Sequence, residues 1–171
     1  MNIIRYPKRE DWASITERPQ LDTSTLNATV SNILGDIKAN GDEAVRKYEE
    51  MFDHVRLDSL AVSEEDIEEA WNSVTAELRQ SIELAHANIS SFHEAQHFNG
   101  VKVETAPGVT CWQKSVPIEK VGLYIPGGTA PLFSTVLMLA TPARIAGCRE
   151  IVLCTPPDRN GNINPAILVA A

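Results

Sequence analysis

The sequence predicts an α/β protein in which a largely helical first part, carrying one β-hairpin, leads into a parallel βαβ unit. Three observations predict this. Apolar residues recur every three or four positions through most of residues 22–97. Apolar and polar residues alternate on both sides of Pro107-Gly108. Residues 121–157 read VGLYIPGGTAPLFSTVLMLATPARIAGCREIVLCTPP, an apolar run, a Pro-Gly-Gly loop, an apolar helical pattern and a second apolar run. Two parallel strands need a crossover, usually a helix, so this order places both runs in one sheet.

After an irregular opening around Tyr6, Pro7 and Pro19, the stripe Leu26, Val30, Ile33, Leu34 and Ile37 follows the cap candidates Asp22, Thr23 and Ser24. Asn40-Gly41 ends this helix after about four or five turns. Asp42 is placed to cap a second helix with Val45, Tyr48, Met51 and Phe52 on one face, ending near Asp53. Leu57 to Val62 predicts a short strand. Ser63 with Asp66 has the pattern of a capping box and opens a helix through Ile67, Ala70 and Trp71. A longer helix from about Thr75 to His97 carries the stripe Leu78, Ile82, Ala85, Ile89 and Phe92, with Gly100 in the position of a C-terminal glycine.

The period then changes. Val101, Val103 and Thr105, then Val109, Cys111 and Gln113, alternate about the Pro107-Gly108 turn as a hairpin, which Pro117 ends. Val121 to Ile125 is continuously apolar, as expected of a parallel strand buried on both faces. Pro142 falls inside the helical run Val136 to Ala146, where it removes a backbone donor and is expected to kink or divide the helix. A domain boundary near residues 118–120 separates residues 1–120, a helical arm and part of a first α/β domain, from residues 121–171, the opening βαβ part of a second.

The net charge of −8 is unevenly spread: residues 1–100 hold 9 Lys and Arg against 19 Asp and Glu, and residues 101–171 hold 6 against 4. An acidic helical segment repels phosphate backbones and anionic lipid, which argues against nucleic-acid and membrane partners. Cys111, Cys148 and Cys154 form no C-x-x-C pair and are read as buried free thiols in a reducing cytoplasm. The opening residues lack the apolar core of a secretory leader, and no apolar run is long enough to span a bilayer.

Two motifs carry possible chemistry. His93-Glu94-Ala95-Gln96-His97 matches H-E-x-x-H, in which paired histidines bind zinc and the glutamate acts as base. It lies at a polar helix end without a recognisable third ligand, so a solvated surface is the preferred reading and a small zinc hydrolase the alternative. Gly127-Gly128-Thr129 follows a strand and precedes a helix starting near Ser134, where missing side chains and free N–H groups let a ligand approach the backbone. Spacing alone supports a binding loop and a ligand-free turn equally. Tyr124 stands at the carboxyl end of the strand, where ligands of open α/β sheets gather, or else is a core tyrosine. Arg144 is read as a surface cation.

GLYIPGGTAPLFSTVLMLATPARIAGC with EIVLCTPP, preceded by GDEAVRKYEEMFD, FHEAQ and VETAPGVTCWQ, resembles the histidinol dehydrogenase family almost continuously from about Leu26. The resemblance implies incomplete Rossmann-like α/β domains and a cytoplasmic homodimer. It implies oxidation of L-histidinol through histidinal to L-histidine in histidine biosynthesis, with NAD as oxidant and zinc as a required metal. Tyr124 matches the tyrosine that contacts NAD in the family, with Gly127 and Gly128 as supporting backbone. No catalytic residue and no zinc ligand carries over to this chain, because those groups lie in later parts of the much longer family sequences. The chain is therefore expected to be an N-terminal portion, inactive alone and prone to self-associate through residues 151–171. The alternative is a short non-catalytic nucleotide-binding or assembly module.

Overall fold

The computed structural model describes residues 3–18, 23–127 and 130–171. The chain divides into two compact units, Met1–Ala44 and Val45–Ala171. In the first, a 3-10 turn (Arg9–Asp11) leads into α1 (Trp12–Thr16), and α2 spans Ser24–Asn40. Thr23 occupies the N-cap position of α2 through its backbone, with its carbonyl accepting from the N–H of Asn27 at 2.8 Å; its side chain makes no capping bond. Asp22 lies outside the described residues. Gly41 ends α2 as expected, at φ +56°, a conformation that a Cβ disfavours, and donates its N–H to the Ile37 carbonyl at 2.8 Å.

Helix α3 (Asp42–Phe52) begins at Asp42 itself, one residue earlier than a cap at that position would give. Tyr48 and Phe52 stack at 5.8 Å on its surface. The strand expected from Leu57 to Val62 does not form. The guanidinium of Arg46 donates to the carbonyls of Leu57 and Asp58, each at 3.2 Å, and Ser59 Oγ bridges to the backbone of Ala61.

The box that opens α4 (Glu64–Ser73) is present in both directions: the Asp66 N–H donates to Ser63 Oγ at 3.1 Å, and the Ser63 N–H donates to Asp66 Oδ2 at 2.9 Å. The Asp66 carboxyl accepts from the Ser63 N–H and also from the Ser63 hydroxyl at 2.8 Å, and these two bonds hold it below its usual range. Thr75 caps α5 (Ala76–Glu94) by accepting from the N–H of Leu78. Ile82 is buried at the centre of the α5 stripe, but Phe92 at its end is exposed.

Strands β1 (Lys102–Ala106) and β2 (Val109–Trp112) form the expected antiparallel hairpin, with Val103 opposite Cys111. Gly100 does not cap α5, which has already stopped at Glu94. It sits at φ +60° where an added Cβ would lie 2.7 Å from the backbone oxygen of Gln113, so its missing side chain lets the chain close against the end of the hairpin.

The parallel pair is β3 (Lys120–Tyr124) and β4 (Glu150–Cys154), joined by α6 (Phe133–Ile145). Pro142 neither ends nor divides α6. The carbonyl deprived of its donor belongs to Met138, an exposed residue, and the helix continues only one turn further. A final helix, α7 (Pro165–Ala170), starts at Asn164, whose Oδ1 accepts from the N–H of Ala166 at 3.0 Å. Ile125, Val136 and Ile167 form the buried centre, with Leu132, Phe133, Leu153 and Ile163 around them. Helix α6 packs on both strands and on α5 and α7, and α4 packs on α7. Only one face of the strand pair is covered: Val121 and Leu123 are partly buried, whereas Gly122, Tyr124, Val152 and Cys154 are exposed. Burial on both faces, which continuous apolarity suggests, does not occur among the described residues.

Candidate functional site

In-register pairing brings Tyr124 opposite Cys154 at the carboxyl ends of β3 and β4. The pairing runs one bond further, because the N–H of Ile125 donates to the Cys154 carbonyl at 2.9 Å. Alternation along a strand then separates the two neighbours: Ile125 is wholly buried, and Tyr124 is 62% exposed on the opposite, open face. Tyr124 is thus not a core tyrosine. By register and alternation it shares this face with Gly122, Val152 and Cys154, at the end of the sheet from which both loops leave.

Gly127 follows two residues later. A Cβ at this position would lie 2.7 Å from Pro156 Cγ, in the loop that leaves β4. Its φ is not positive, so the need for glycine is steric and comes from Pro156. Gly128 lies outside the described residues. Helix α6 points its N-terminus toward the same end of the sheet; Leu132 at the N-cap has no side-chain acceptor to offer, and the first turn holds no acidic residue. Charge collects at the other end of the strands, where Lys120 pairs with Glu150 at 2.7 Å and Arg149 with Glu119 at 3.8 Å. The carboxyl end, from Tyr124 to Gly127 and Cys154 to Pro157, carries no formal charge. Such a site offers a ring face, backbone groups and a helix dipole rather than ion pairs.

The H-E-x-x-H match breaks in space. α5 ends at Glu94, His97 lies beyond it, and His93 Nδ1 bonds to Gln96 Oε1 at 2.9 Å. Among the described residues no group of three or more His, Cys, Asp or Glu is placed to hold a metal ion. A shallow groove of about 320 Å³ lined by Gly100, Lys102, Trp112 and Gln113 involves none of the residues around Tyr124. Arg144 is in the last turn of α6, away from the N-terminal end. Among the described residues no helix is long and apolar enough to cross a membrane.

Sequence reasoning placed Tyr124 and Gly127 at this end of the sheet but did not single out Pro156. The available signal was positional: Pro126 and Pro156 stand equally far beyond the paired residues Tyr124 and Cys154.

The histidinol dehydrogenase family profile matches residues 16–171. The histidinol dehydrogenase of Bacteroides thetaiotaomicron is 61% identical over all 171 residues, which correspond to 40% of that protein. That of Shigella dysenteriae serotype 1 is 51% identical over 156 residues, 86% of this chain and 36% of that protein. The crystal structure of histidinol dehydrogenase from Elizabethkingia anophelis superposes with a TM-score of 0.90 at 47% identity, covering 96% of this chain and 38% of that one. The chain thus spans about 40% of the length of the first of these relatives.

Proposed function

This chain belongs to the histidinol dehydrogenase family, and we propose that it forms the first portion of an enzyme that oxidises L-histidinol through histidinal to L-histidine with NAD. The observation that carries the reading is Tyr124: an exposed aromatic residue at the carboxyl end of a parallel strand, inside a stretch that the family profile covers without interruption. NAD supplies the hydride acceptor for both oxidations. Its fit here is supported by the open ring of Tyr124 and by the N-terminus of α6, where Leu132 makes no side-chain capping bond. Tyr124 would hold the nucleotide by ring contact and by its hydroxyl, and Gly127 and Gly128 would let it approach the main chain.

Zinc does not fit the described residues, which supply no donor set for it. For the same reason residues 1–171 alone are proposed not to turn over histidinol. The proposed organisation keeps residues 1–120 as the helical arm and part of one α/β domain, and residues 121–171 as the opening of the nucleotide-binding domain, in a cytoplasmic homodimer.

The test is direct. The full-length protein is incubated with L-histidinol and NAD, and NADH and histidine are both quantified. Two NADH per histidine are expected, because the alcohol-to-acid conversion releases two electron pairs. No NADH above the substrate-free blank overturns the reading.

A further inference from the structure

We propose that Pro156 is a positioning residue for the nucleotide site, fixing the path of the backbone at Gly127; this rests on the reading of Tyr124 and its loop as the NAD contact. The close approach is between Pro156 Cγ and the place where a Cβ on residue 127 would stand, 2.7 Å apart. A side chain with rotamers would swing aside, but a proline ring is fixed to its own backbone.

That backbone is anchored on both sides. Before it, the Cys154 carbonyl accepts from the N–H of Ile125, whose side chain is completely buried. After it, Asp158 closes a tight loop: its Oδ1 accepts from the N–H groups of Asn160 and Asn162 at 2.8 and 2.9 Å, and its own N–H donates to the Asn162 carbonyl at 2.8 Å. Thr155, Pro156 and Pro157 are themselves partly buried. The ring is a fixed wall against which the segment leaving β3 is laid, so a methyl group added at residue 127 displaces that segment rather than the wall.

The geometry also states how to undo the clash. Replacing Pro156 by Ala removes Cγ and leaves Cβ, which lies 3.7 Å from the added carbon, an ordinary contact. The prediction is a rescue that a general loss of folding would not produce.

The experiment compares the full-length wild type, Gly127→Ala, Pro156→Ala, the double variant and Tyr124→Ala, reading KM for NAD, KM for histidinol and kcat. Gly127→Ala is expected to raise KM for NAD about tenfold, the size of effect that a sub-ångström misplacement of a binding group produces, with kcat and KM for histidinol within about twofold. Adding Pro156→Ala is expected to return KM for NAD to that of Pro156→Ala alone. If Gly127→Ala fails to fold, the comparison of the double variant with Pro156→Ala still decides, since equal KM values are required. The positioning role is overturned if KM for NAD in the double variant stays above that of Pro156→Ala, or if Gly127→Ala leaves it unchanged while Tyr124→Ala raises it. An unchanged KM for NAD in Tyr124→Ala instead overturns the nucleotide reading on which the proposal rests.

Discussion

The N–H of Ile125 donates to the carbonyl of Cys154 at 2.9 Å, and this bond joins the two segments that leave the parallel strands. Ile125 is completely buried, and with Val136 it is the largest side chain of which this holds among the described residues. The bond and the burial together set the alternation that turns Tyr124 outward.

Ile125→Ala should therefore cost about 2–5 kcal/mol of stability, the range for truncating a buried aliphatic residue in a packed site. Urea unfolding followed by circular dichroism checks it. Val152→Ala, on the open face at 51% exposure, should change the midpoint little.

Gly100→Ala combines two penalties: φ of +60° and a Cβ 2.7 Å from the Gln113 backbone oxygen. A cost of about 1–3 kcal/mol follows, since the colliding atom is main chain and cannot rotate away. Gly35→Ala is the control, because nothing lies within 4 Å of an added Cβ there and the position is inside α2. It should stabilise by about 0.5–1 kcal/mol. Thermal melts of the two variants should move in opposite directions.

Glu49 gives a pH-dependent test. Burial first, and the Asp53 carboxylate second, raise its pKa, and its Oε2 is buried without a hydrogen-bond partner. A folded-state pKa above the unfolded one means that the contribution to stability is fully present below the unfolded value of 4.5 and is lost as pH rises through the folded value. Glu49→Gln should raise the melting temperature at pH 7 and leave it nearly unchanged at pH 4. Equal shifts at the two pH values would show that ionisation of this carboxyl is not the cause.

The parts of the fold that were legible in the sequence are those that local chemistry specifies. The Ser63–Asp66 box, the Gly41 stop, the hairpin about Pro107-Gly108 and the strand, helix and strand of residues 120–154 all follow from spacing and turn residues. What was not legible depended on partners distant in sequence. Leu57 to Val62 has strand composition, but Arg46 occupies two of its carbonyls. Pro142 reads as a kink or a division, yet α6 runs through it undivided to Ile145, and the lost bond falls near the end of the helix. Gly100 has the position of a helix cap in the sequence, and nothing in its neighbourhood announces Gln113. The open second face of β3 and β4 was hidden for the same reason, since apolar composition records what a strand is suited to pack against and not whether that layer lies within this chain. At the candidate site, strand position is enough to put Tyr124 at the carboxyl end of β3, but the reason for glycine at residue 127 is a proline in the loop after the other strand.

The proposed contact between the outward ring of Tyr124 and NAD is tested most directly by the KM for NAD of full-length Tyr124→Ala, measured with saturating histidinol beside the KM for histidinol with saturating NAD. Loss of a ring-stacking contact predicts a rise of about tenfold in the KM for NAD with the KM for histidinol nearly unchanged. A KM for NAD equal to that of the wild type would contradict it.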